Sequence, residues 1–146
     1  MKKAASARQW LQDNTRFLAI TAAVLAMTHP HQFQAGITIL ERVRANPHLL
    51  REPGHFMHVL KTWCLPFTGV SIIANRETRS HRDVGGSPHW YDILATMGDY
   101  PETQFHLPSL GATFSYRHGT LALALMLCPP ATLRNFPSSI MYSDAL

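Results

Sequence analysis

The sequence predicts an α+β fold: an N-terminal helical layer packed on a small, mostly antiparallel sheet or barrel. Three observations carry this expectation. Apolar residues recur at helical spacing as far as about residue 62. From Leu65-Pro66 onward, short apolar and β-branched runs alternate with Gly, Pro, Asn and Asp turn residues. The chain has 146 residues, 46% hydrophobic and only 15% charged, which suits one modest domain with a buried core and excludes wholesale disorder.

Trp10, Leu11, Phe17, Leu18, Thr21, Val24 and Leu25 share one stripe, so residues 5–27 are expected as the first helix. It ends before His29-Pro30, because the residue before a proline avoids the α region. A second helix is expected over 33–45, with Ile37, Leu40 and Val43 on one face and a stop at Asn46-Pro47. Pro53 opens a short third helix over 53–62. Strands follow at 70–74, 91–97, 105–107, 112–116 and 120–127. Beyond Pro129-Pro130 no periodicity remains, and residues 129–146 read as an irregular tail. The single domain 1–146 thus divides into a helical lead-in (5–62), a sheet region (63–128) and that tail.

Composition narrows the function classes. Cys64 and Cys128 are too few for a disulfide scaffold, which fits a reducing, intracellular compartment. The longest apolar run, Phe17 to Met27, is too short to span about 30 Å of hydrocarbon. Lys2 and Lys3 ahead of it mimic a signal peptide, but Gln9, Gln12, Asp13 and Asn14 make the intervening stretch too polar. No membrane partner is expected. The net charge of +4 is uneven: residues 1–82 hold eleven Lys/Arg against four Asp/Glu, while residues 83–146 hold two against five. Alone this describes a solvated helical surface as well as a phosphate-binding one.

The most informative tripeptide is His81-Arg82-Asp83. In extended chain, residues i and i+2 lie on the same side, so His81 and Asp83 converge. That pair is the H-x-D half of a 2-His-1-carboxylate facial triad for Fe(II). Such tripeptides are common, and on the tripeptide alone a turn in which Asp83 caps Gly85-Gly86, with His81 on the surface, is the simpler reading.

The surroundings add a family resemblance. The run Asn75-Arg76-Glu77-Thr78-Arg79-Ser80-His81-Arg82-Asp83-Val84-Gly85-Gly86 resembles the iron-binding entry of fungal Tet/JBP-like dioxygenases. In that family an HRD motif precedes a Gly-rich turn and a W-Y/F-D strand, here Trp90-Tyr91-Asp92. Leu107-Pro108-Ser109-Leu110-Gly111 is similar to its LPxLG turn, and Tyr116-Arg117-His118-Gly119-Thr120 to its Y-x-P-G-T turn. Trp63-Cys64-Leu65-Pro66-Phe67 and the helical lead-in fit as well, so the likeness covers about residues 10–127.

The resemblance implies a 2-oxoglutarate- and Fe(II)-dependent oxygenase on a partial double-stranded β-helix of jelly-roll type. It implies oxidation of 5-methylcytosine in DNA or RNA, with His81 and Asp83 as metal ligands. The target base would be flipped out of the helix and stacked on aromatics. The candidate pocket residues are His89, Trp90 and Tyr91. An Arg is implied for the distal carboxylate of 2-oxoglutarate, and Arg117 and Arg134 are the arginines left after Arg82. The basic first half suits phosphate contacts, and the implied location is intracellular, nuclear for a DNA target.

The chain also departs from the family. The second iron His lies after the strand that follows the Y-x-P-G-T turn, and here no His follows His118. His118 itself stands where the family has Pro, so the ligand role is not carried to it. The alternative is therefore a degenerate, non-catalytic relative that lacks the distal His and Arg and serves as a binding module or has no activity. Of nine His, the others read as ordinary. His29 and His31 flank Pro30, His55 and His58 are three apart on a helix, and no Cys or carboxylate cluster completes a site with either pair.

Overall fold

The computed structural model describes residues 2–73, 78–81, 89–99, 103–107, 110–125, 131–134 and 140–143. The chain divides into two compact units, residues 1–66 and 67–146. Helices make the first and two small antiparallel sheets make the second, a mixed α+β composition.

In the first unit, α1 is Lys2–Asp13, α2 Thr15–Thr28, α3 Pro30–Ala45 and α4 Pro53–Leu60, with a 3-10 turn at Pro47–Leu49. The single helix expected over 5–27 is instead two, broken at Asn14. Polar side chains at the break bond back to the preceding turn. Asn14 Nδ2 donates to the Trp10 carbonyl at 2.8 Å, and Thr15 Oγ1 to the Leu11 carbonyl at 3.0 Å. Such side chains compete with the helical ladder for its carbonyls. α3 begins three residues before the expected 33, because Pro30 sits in its first turn. Its missing N–H costs nothing there. His29 caps this helix, its Nδ1 accepting from the Gln32 N–H at 3.1 Å.

α2 buries Leu18, Thr21, Ala22 and Leu25, and α3 buries Gln32, Gly36 and Leu40. Both sets follow the helical period that makes one face of each helix. Gly36 has no side chain for a specific reason: a Cβ there would collide with the backbone carbonyl of Pro66.

The second unit holds β1 Ser71–Ile73, β2 Thr78–His81, β3 Tyr91–Thr96, β4 Gln104–Leu107, β5 Ala112–Ser115, β6 Leu121–Leu125, β7 Ala131–Arg134 and β8 Ile140–Ser143. One sheet has the order β1-β8-β3-β6 and the other β2-β7-β4-β5. Every strand pairs antiparallel with its counterpart counted from the other end of the chain: β1 with β8, β2 with β7, β3 with β6 and β4 with β5. β7 and β8 arise in the stretch expected to be an irregular tail. Their short runs carry little pattern, and partners fifty residues or more away in sequence define them.

The two sheets share a core. Leu94 from the first sheet clusters with Phe105 and Leu107 from the second and with Tyr116; Ile73, Ala122 and Ala124 pack against them. Burying each large side chain contributes about 1.5–3 kcal/mol. The turn between β5 and β6 is held at Thr96, at the end of β3. Its buried hydroxyl donates to the Arg117 carbonyl at 2.6 Å, and its carbonyl accepts from the Gly119 N–H at 2.9 Å. Gly119 has φ of 78°, which favours glycine in this turn.

Candidate metal centre

His81 is the last residue of β2, and its register position can be read from its neighbours. Thr78 lies opposite Leu133 and His81 opposite Ala131, so the register shifts between Thr78 and His81. A β-bulge is one source of such a shift in an antiparallel pair.

β7 also pairs with β4, where Leu133 lies opposite Phe105. Phe105 is buried in the shared core. Cross-strand partners share a face, and residues two apart along a strand share it too. His81 is the register partner of Ala131, while Thr132 pairs with His106 and Arg134 with the exposed Gln104. Asp83 lies outside the described residues.

Fe(II) in a facial triad asks for two imidazoles and one carboxylate on one side of the metal. The strand beside His81 reads Ala131-Thr132-Leu133-Arg134 and offers no imidazole, thiolate or carboxylate. Among the described residues, no three His, Cys, Asp or Glu gather into a metal-holding group. His118 lies on the turn before β6, where its Nδ1 accepts from the Gly98 N–H at 3.0 Å. That bond commits one ring nitrogen to holding the loop after β3. The described residues do not fit a complete facial triad.

The remaining sequence candidates are placed as follows. His89 is exposed ahead of β3, and Trp90 and Tyr91 at its start are half-buried. Arg117 is exposed on the turn whose carbonyl Thr96 binds. His106 is on the outer face and shares a 2.7 Å hydrogen bond with its cross-strand partner Thr113. His55 and His58 are exposed on α4. Cys64 is a free thiol whose Sγ donates to the Thr15 carbonyl at 3.7 Å. Burial pushes this thiol above the ordinary cysteine range, and a backbone hydrogen bond partly offsets the rise. A thiol so shifted is a poor nucleophile near neutrality. Cys128 lies outside the described residues.

Sequence reasoning passed over Asp92. It lies opposite Ala124 in the β3–β6 ladder, two residues before Leu94, and so takes an inner-face position on the other sheet. The available signal was its alternation with the buried Leu94.

A protein-family model for the Tet/JBP group, described as the oxygenase domain of the 2OGFeDO superfamily, matches residues 1–128. The chain belongs to this family. It is a 2-oxoglutarate/Fe(II) dioxygenase-like domain, and the superfamily in general uses Fe(II) and 2-oxoglutarate. A search of curated proteins returns no match. In this Tet/JBP domain the matched span includes His81 and ends before β7 and β8.

Proposed function

We propose that this Tet/JBP domain acts on 5-methylcytosine in nucleic acid, with Fe(II) held by His81 and Asp83 on a double-stranded β-helix. One observation carries the reading. The strands pair first with last, second with seventh, third with sixth and fourth with fifth, the pattern of a two-stranded ribbon wound into a jelly roll. In that winding His81 ends β2, just after the register shift of that strand. Iron and 2-oxoglutarate supply the oxidising chemistry of the superfamily, and the protein supplies placement and exclusion of side reactions.

Two further features support a nucleic-acid substrate. Arg16, Arg42, Arg51 and Lys61 are exposed on the helical unit, where basic side chains can meet phosphates electrostatically. Trp90 and Tyr91 are half-buried, and as adjacent residues of extended chain they face opposite sides, so that one ring is available for an extruded base to stack on. The distal carboxylate of 2-oxoglutarate falls to Arg117 or Arg134, the arginines that follow Arg82.

The test is turnover. A single-stranded and a duplex oligonucleotide, each with one 5-methylcytosine, are incubated with the protein, Fe(II), 2-oxoglutarate and ascorbate. The expected product carries one added oxygen on the methyl group by mass spectrometry. Unmodified substrate in both, at metal concentrations that saturate the protein, removes the nucleic-acid reading.

A further inference from the structure

Spacing alone leaves His55 and His58 as ordinary surface histidines, and the structure adds three observations to it. Both lie on α4, a helix with no buried residue, and both are exposed, so an ion from solvent can reach either ring. Residues three apart in one helix are neighbours on its surface, with Cβ atoms about 5–6 Å apart, a separation that suits two ligands of one ion. Neither ring has a hydrogen-bond or ion-pair partner among the described residues; the neighbour of His55 is the ring of Phe56, edge-on at 6.2 Å between centroids. Other histidines are committed. The Nδ1 of His29 accepts from the Gln32 N–H, that of His118 accepts from the Gly98 N–H, and that of His106 shares a hydrogen bond with Thr113. A ring nitrogen already engaged is lost to a metal, and those of His55 and His58 are not.

We propose that His55 and His58 form a surface site for an imidazole-preferring divalent cation of the Ni(II), Cu(II) and Zn(II) class, carried by the helical unit alone. The donor set decides the class of ion. Imidazole suits zinc, copper and nickel, and at a given nitrogen site affinity rises from Fe(II) through Co(II) and Ni(II) to Cu(II). The pair therefore takes these ions in preference to iron. Among the described residues no third His, Cys, Asp or Glu gathers with the pair, so water fills the remaining positions. That makes the site open and exchangeable, unlike a structural zinc site, which is closed by four protein ligands.

The experiment is a calorimetric titration of the full chain with Ni(II), and separately with Fe(II) under anaerobic conditions, on the wild type, H55A, H58A and H81A. Circular dichroism checks that each is folded, and H55Q and H58Q retain a polar side chain should alanine alter the helix. The wild type is expected to show a Ni(II) site that is lost in H55A and lost in H58A but retained in H81A. Fe(II) is expected to bind this pair more weakly than Ni(II). Ni(II) binding that survives removal of either His55 or His58 overturns the proposal. So does binding lost in H81A alone, which assigns the ion to the candidate iron centre, and so does the absence of Ni(II) binding in the wild type.

Discussion

The helical unit and the sheet unit are built by different rules. In the helical unit the elements form from neighbours in sequence: α2 and α3 adjoin at the His29 cap, each buries residues spaced three and four apart, and only a few links, such as Gly36 against Pro66, reach further. In the sheet unit the decisive partners are remote. β1 finds β8 and β2 finds β7, each across fifty residues or more. The lesson is where function is vulnerable. A local change in the helical unit perturbs one helix pair, whereas a change near the C-terminus alters the strand that flanks His81.

The first way to break this contrast is at Gly36, the tightest approach in the helical unit. Gly36→Leu forces a side chain onto the Pro66 carbonyl, backbone that cannot swing aside. Chemical denaturation is expected to show a loss of about 2–3 kcal/mol, the range of severe overpacking. A loss below measurement error means that α3 and the Leu65-Pro66 segment do not meet as described.

A smaller effect is expected in the sheet unit at Thr96. Thr96→Val keeps the shape but removes the 2.6 Å hydrogen bond to the Arg117 carbonyl. Thr96 is fully buried, so no water replaces the donor. A cost of about 1–2 kcal/mol is expected in the same measurement, together with faster amide exchange in the 117–120 turn. Unchanged exchange there shows that the turn is held by its other bonds alone.

The same contrast explains what was legible in the sequence. Proline punctuation and apolar spacing are local signals, so α3, α4 and the strands around Ile93 and Phe105 lie within a few residues of their expected places. The break at Asn14 is also local, but it turns on side chains bonding back to carbonyls, which apolar spacing does not register. β7 and β8 have no local signature: Ala131-Thr132-Leu133-Arg134 reads as tail until it is set between β2 and β4. The candidate site divides in the same way. His81 is visible as a motif and as part of a family likeness. That Ala131 is its register partner follows only from the pairing of β2 with β7, which no count of histidines contains.

The central claim is that His81 holds iron in an oxygenase domain. The most direct measurement is the visible absorption difference when 2-oxoglutarate is added anaerobically to the protein in saturating Fe(II), for the wild type and for H81A. The account predicts a new charge-transfer band in the wild type that is absent from H81A. No band in the wild type, or an equal band in both, contradicts it.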